Sequence, residues 1–238
     1  VCSSDLGGIF VKIKKLISAL VLGSMLVGLS GCNITDFSAE NLLRPPKAVG
    51  DEAEIEQLIA KTADSGYTLK YPKNGKFRSA IIMTDLDGND SNEAVAFFRN
   101  SAETSSVHML VMYSKDNSWE IVSDNIFETT DIDSVDFADL TGNGKAEIIV
   151  NSTTYTPNVG KLSCYSYSEG KTNEVGSGQS CSSFVTGDFD NDGTSEIMSL
   201  VLYTTENEAL ASMLDYNEDS KSLYAKAMAN MDPNVVKY

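Results

Sequence analysis

From Phe77 onward, short apolar runs of strand length alternate with clusters of turn-forming residues, and this pattern predicts an all-β chain. Phe77 to Met83 and Ala94 to Phe98 form a first pair of strands, followed by Val107 to Tyr113 and Trp119 to Val122 around a turn at Lys115-Asp116-Asn117. The order recurs in Val135 to Leu140, Ile148 to Val150, Leu162 to Tyr167, a turn at Gly170 and a short strand near Val175. It recurs again in Phe184 to Gly187, Ile197 to Tyr203, Ala211 to Tyr216, a turn at Asn217-Glu218-Asp219, and Leu223 to Ala227. Each unit therefore holds four strands. Ahead of them, Asp51 to Thr62 reads as one helix, with acids in its first turn, Ile55, Leu58 and Ile59 on one face, and Gly66 beyond its end. The helix is expected to cover an exposed end of the first sheet, partner docking being the alternative.

Between the first two strands of each unit lies an acidic loop. The fullest is Asp188-Phe189-Asp190-Asn191-Asp192-Gly193-Thr194-Ser195-Glu196, with acids at positions 1, 3, 5 and 9 and glycine at 6. Alternating acids turn oxygens inward around a hard cation, Gly193 permits the backbone reversal, and Glu196 closes the far side. Asp85, Asp87, Asn89 and Glu93 repeat the arrangement, with Asp90 in place of the glycine, and so do Asp139, Thr141, Asn143 and Glu147 with less charge. First acids at 85, 139 and 188 set periods of 54 and 49 residues. An EF-hand loop carries its last acid at position 12 rather than 9, so this is a different module.

The pattern Asp-x-Asp-x-Asp-Gly-x-x-Glu before an aliphatic residue, at this period, resembles the FG-GAP and VCBS repeats of integrin-type β-propellers. The resemblance covers roughly residues 76–230, as units of about 76–128, 129–179 and 180–230. It implies propeller-type blades of four antiparallel strands and structural calcium in the loops. Three blades make an incomplete propeller, so the chain is expected to be the front part of a longer protein, or to close by oligomerising or by a less regular β-architecture.

Residues 11–31 carry Lys12, Lys14 and Lys15 ahead of an apolar run from Leu16 to Leu29, which reads as a signal peptide. Its end, Leu29-Ser30-Gly31-Cys32, resembles the bacterial lipobox. That implies lipidation of Cys32 and an extracytoplasmic protein anchored to a bacterial membrane through its N-terminus. Val1 to Phe10 fits neither leader nor fold and is expected to be extraneous sequence. Residues 32–50, with Pro45-Pro46, read as a tether, and 51–75 as the helix and its lead-in to the blades of 76–238.

The net charge of −16 disfavours nucleic acid and anionic lipid surfaces and favours cations or basic partners. Cys164 and Cys181 fall on what should be neighbouring strands of adjoining units; outside the membrane they are a candidate disulfide, two buried free thiols being the alternative. Catalytic signatures are sparse: His108 is the single histidine, no serine sits in a nucleophile elbow, and the best carboxylate clusters belong to the metal loops. Tyr155, Tyr165, Tyr167 and Tyr203 suit either sugar stacking or sheet packing. These readings together point to a calcium-binding module for a protein or glycan ligand at the cell surface. The alternatives are the N-terminal part of a polysaccharide-acting enzyme with its site beyond residue 238, and a purely structural surface protein.

Overall fold

The computed structural model describes residues 50–63, 66–168, 170–203 and 207–232. The leader, Cys32, residues 1–10 and nearly all of the tether lie outside the described residues. One helix, α1 (Asp51–Ala63), precedes thirteen strands in three antiparallel sheets. The first sheet holds β1 (Tyr67–Leu69), β2 (Ile81–Thr84), β3 (Glu93–Asn100), β4 (Val107–Lys115) and β5 (Ser118–Phe127), with β1 and β2 both paired to β3. The second runs in order β6 (Ile132–Ala138), β7 (Glu147–Thr153), β8 (Gly160–Ser168), β9 (Lys171–Cys181). The third runs β10 (Ser183–Gly187), β11 (Glu196–Tyr203), β12 (Glu208–Asn217), β13 (Ser222–Met231). Among the described residues no sheet closes on itself.

The sheets are stacked face to face, and strand sequence explains why. Strands β3 and β7 are apolar on both faces because each is covered twice. From one face of the first sheet, Val95, Phe97, Met109 and Val111 pack on Ile148, Val150, Tyr165 and Tyr167 of the second. The other face of the second sheet presents Ile149, Leu162 and Cys164 to Ile197, Leu214 and Leu223 of the third. Behind the first sheet, Ile55, Ile59 and Ala63 of α1 seat on Ala94, Ala96, Phe98, Leu110 and Met112. The helix thus covers a face rather than an end, because its apolar stripe needs a flat surface of small and apolar side chains opposite it. The last face of the stack carries Val185, Met198, Ala211, Met213, Ala227 and Ala229 in neighbouring registers, with Val185 58% exposed.

Strand ends are longer than the apolar runs suggest. Strand β9, expected only near Val175, runs for eleven residues because its polar positions face solvent while its backbone pairs with β8. The last strand of each sheet bulges at a matching place: Val122, Val175 and Lys226 are each an extra residue opposite the middle of the strand before it, and β9 bulges a second time at Gly178. Gly176 follows Val175 directly, and a Cβ there would lie 2.8 Å from the Leu223 side chain, so its absence lets β13 approach β9.

Cys164 and Cys181 are free, buried thiols, which corrects the candidate disulfide. They lie within one sheet rather than in adjoining units. Cys181 pairs with Gly160, four residues along β8 from Cys164, a separation of about 13 Å that no bridge spans. Burial pushes the Cys181 thiol up to about 12 and raises Cys164 as well, so neither is a reactive thiolate.

The lead-in between β1 and β2 joins two sheets. Lys73 and Asn74 donate backbone N–H groups to the carbonyls of Ile132 (3.2 Å) and Asp133 (2.7 Å) on β6. Lys70 and Lys73 pair with Asp131; burial opposes the Asp131 carboxylate, but the two ammonium groups outweigh it and hold the group below its usual range.

Three outcomes test this packing. Phe97→Ala, at a fully buried position between two sheets, should cost about 3–5 kcal/mol in denaturant unfolding, whereas Met213→Ala on the open face should cost less than about 1. Because the Asp131 pKa is depressed, its stabilisation is present above its unfolded value and is lost as pH falls through the folded one. The stability gap between wild type and Asp131→Asn should therefore be constant above about pH 5 and shrink toward pH 2. Alkylation of unreduced protein should label Cys164 and Cys181 only after denaturation; a mass corresponding to a bridge between them would refute the free-thiol assignment.

Candidate metal centres

The acidic loops connect β2 to β3, β6 to β7 and β10 to β11, and the three share one hydrogen-bond scheme. The carboxylate at position 1 accepts backbone N–H groups from across the loop. Asp85 takes those of Gly88 (2.8 Å), Asn89 (3.3 Å) and Asp90 (2.9 Å). Asp139 takes those of Asn143 (3.1 Å) and Gly144 (2.8 Å), and Asp188 those of Asp192 (3.2 Å) and Gly193 (3.1 Å). At position 5, Asn89, Asn143 and Asp192 each accept the N–H two residues on, at 2.7, 2.8 and 2.9 Å. At position 9 the glutamate reaches back to the N–H of position 2: Glu93 to Leu86, Glu147 to Leu140 and Glu196 to Phe189, each at 2.8 Å.

Two left-handed residues make the loop this tight. Position 6 is Asp90, Gly144 or Gly193, so Asp90 takes the positive φ (65°) that glycine takes elsewhere rather than altering the turn. Position 4 is left-handed as well, at Gly88, Gly142 and Asn191, a requirement the acidic pattern alone did not reveal. The loops also touch one another. Ala146 donates its N–H to the Leu86 carbonyl at 3.0 Å, and Ser195 to that of Asp139 at 2.8 Å, so the three form one continuous acidic end of the stack.

They differ at position 3. In the second loop the Thr141 hydroxyl donates to Glu147 Oε1 at 3.2 Å, which satisfies the glutamate's remaining oxygen. The first and third loops have aspartate there, which cannot donate, and each keeps a buried oxygen with no hydrogen-bond partner: Asp87 Oδ1 and Glu196 Oε1. These two loops bring their carboxylates together: Asp188, Asp190, Asp192 and Glu196 in one, and Asp85, Asp87 and Glu93 in the other, each set with oxygens within 4.8 Å of one another. Asn89 adds its amide to the first loop, while Asp139, Thr141, Asn143 and Glu147 form the more neutral, self-satisfied second.

Burial raises the Glu93 pKa, reinforced by Asp87 and Asp85, against the opposing N–H of Leu86. Burial also raises Glu147, with Asp139 adding to it, despite bonds from Leu140 and Thr141. Asp85 lies below its usual range because four backbone N–H groups overcome the desolvation that opposes its charge. Asp192 is lowered by the Thr194 hydroxyl and N–H. The first and third loops fit a hard cation: orphaned buried oxygens, crowded carboxylates and oxygen-only donors are what calcium takes.

Lys226 was not foreseen. As the bulged residue of β13 it points its ammonium at Asp190 and, at 2.9 Å, at Asp215 Oδ2, and both carboxylates raise its pKa. It neutralises one flank of the third loop. The other residues weighed from the sequence have structural surroundings. His108 lies on β4 with Nδ1 2.9 Å from Asp124 and its ring stacked on Phe98 at 4.8 Å. Tyr165 packs edge-on against Phe127, Tyr167 is buried, and Tyr155 alone stands out in solvent, 98% exposed.

The chain matches no protein-family model and no curated protein.

Proposed function

We propose that this chain is a calcium-stabilised binding module, built of β-propeller-type blades and held outside a bacterial membrane by lipid at Cys32. The observation that carries the metal reading is the pair of buried, partnerless oxygens, Asp87 Oδ1 and Glu196 Oε1, in the two loops whose carboxylates lie closest together. Asp188, Asp190, Asp192 and Glu196 would hold one ion, and Asp85, Asp87, Asn89 and Glu93 another. Calcium would supply the positive charge that lets these carboxylates crowd together. Face-to-face stacking of four-stranded meanders, with a bulge at a matching place in each, supports the blade reading. The apolar last face supports a continuing array, since it has the character of the faces buried between sheets. The acidic surface argues for a protein or glycan partner and against nucleic acid.

Millimolar calcium should raise the melting temperature and a chelator should lower it, because an ion bound only by the folded state stabilises it, by about 2.7 kcal/mol at a hundredfold excess over Kd. Asp188→Ala with Asp190→Ala should remove the third loop's share of that response, Asp85→Ala with Asp87→Ala the first loop's share, and Asp139→Asn little of it. Identical melting of the wild type with calcium and with chelator would show that the loops are held by hydrogen bonds alone.

A further inference from the structure

The end of the stack opposite the acidic loops is built differently from the rest of the core. Counting four residues on from the loop-closing glutamate gives Phe97 in β3, Asn151 in β7 and Leu200 in β11. Phe97 is apolar, as a face between sheets requires, and Leu200 lies on the open last face, whereas Asn151, on the face between the second and third sheets, is an amide, 1% exposed. Asn151 donates from Nδ2 to Asp133 Oδ2 at 3.3 Å, while its Oδ1 has no partner. The opposite strand makes room for it. A Cβ at Gly160 would lie 2.2 Å from that oxygen, so no other residue could sit there with Asn151 in place. Asp133 is held in turn, accepting Asn74 Nδ2 at 2.9 Å and the Ser134 hydroxyl at 3.0 Å. Burying this network where an apolar pair would pack costs stability, which makes a functional role the economical explanation.

The network forms the floor of a cavity of about 710 Å³ whose walls include Asn74, Thr130, Thr156 and Ser182. A second cavity of about 540 Å³ shares Thr130, Thr153 and Thr154 with it and ends at Tyr155, the exposed aromatic of the β7–β8 connection. Together they make a groove lined by hydroxyls, amides, the charged groups Lys73, Asp133, Glu128, Lys161 and Glu174, and the apolar Ile126 and Phe127, with the exposed Tyr155 beside it.

We propose that this groove binds a neutral oligosaccharide; the inference rests on the reading of the chain as a binding module and specifies its ligand. Vicinal sugar hydroxyls both donate and accept, so they match Asp133 and Asn74, with Asn151 beneath holding the Asp133 carboxylate in place. The C–H face of a pyranose covers an aromatic ring while its hydroxyls stay hydrogen-bonded, which suits Tyr155. Charge selects against acidic sugars. Lys73 and Asp133 balance in the first cavity, and Glu128 and Glu174 outnumber Lys161 in the second.

The test is titration calorimetry of the full chain against maltoheptaose, cellohexaose, xylohexaose, chitohexaose and polygalacturonate, each with calcium and with chelator. At least one neutral oligosaccharide should bind. Tyr155→Ala, at a fully exposed position, should weaken it about tenfold or more, and Asn151→Leu should weaken it as much without lowering the melting temperature. Failure of all four neutral probes, binding of polygalacturonate alone, or binding unchanged by Tyr155→Ala would each overturn the proposal. So would selective capture of members of a random peptide library in place of sugars. A calcium-dependent melting temperature with no sugar binding would leave the metal reading standing and remove only this one. Sugar binding with a calcium-independent melting temperature would do the reverse.

Discussion

The glutamate that opens β3, β7 and β11 ties the local and the global structure together. Glu93, Glu147 and Glu196 are buried at 3%, 1% and 0% exposure, directly beside the apolar residues that fill the space between sheets. Each is the last residue of a loop and the first of a strand, so its bond to the N–H of loop position 2 fixes the loop's closure against the strand's register. Slippage by one residue would withdraw that bond and turn the strand's apolar set to the wrong face. A buried carboxylate is tolerable only if its charge is met, and the three loops meet it differently. Thr141 supplies a hydroxyl in one, whereas Asp87 and Asp190 add further negative charge in the others. Raising the charge at a site already short of donors is consistent with a cation and hard to explain by hydrogen bonding alone.

Sheet stacking gives the acidic loops a second constraint. Because Ala146 and Ser195 donate to carbonyls of the preceding loop, the spacing between sheets is set at this end by backbone hydrogen bonds as well as by side-chain volume. At the opposite end the lead-in strand performs the same task through Lys73 and Asn74. Side chains between sheets can then vary in size, from Phe97 to Asn151, without the sheets shifting. That tolerance is what permits a polar network inside an otherwise apolar interface.

The acidic loops were legible in the sequence because their chemistry depends on residues close together in the chain, and the flanking apolar runs announced strands on both sides. Strand length was not legible. Strands β5, β9 and β13 are rich in Ser, Asn, Glu and Ala that pair through backbone alone, so apolar counting saw only the first half of β5 and β13 and the middle of β9. The helix was recognised but its surface was not, since the Ala94 and Ala96 that admit it look like any small strand residues until the register is known. Lys226 escaped for a similar reason: without the bulge between Met213 and Leu214 it has no cause to point at Asp190. The two cysteines seemed to belong to adjoining units because β9 reads as shorter than it is, which placed Cys181 beyond its end.

Asn151 shows most plainly where sequence reading stops. In the chain it is one polar residue following Ile148-Ile149-Val150, easily taken as the end of a strand. Only the register, which sets it beside Leu162 and aligns it with Phe97 and Leu200, shows that it occupies a core position. A buried amide with one oxygen unpaired, next to a glycine whose missing side chain makes its space, would be removed cheaply by a single change to leucine. Its presence beside a polar groove, at the end of the stack away from the acidic loops, separates the end where we propose a cation from the end where we propose a sugar.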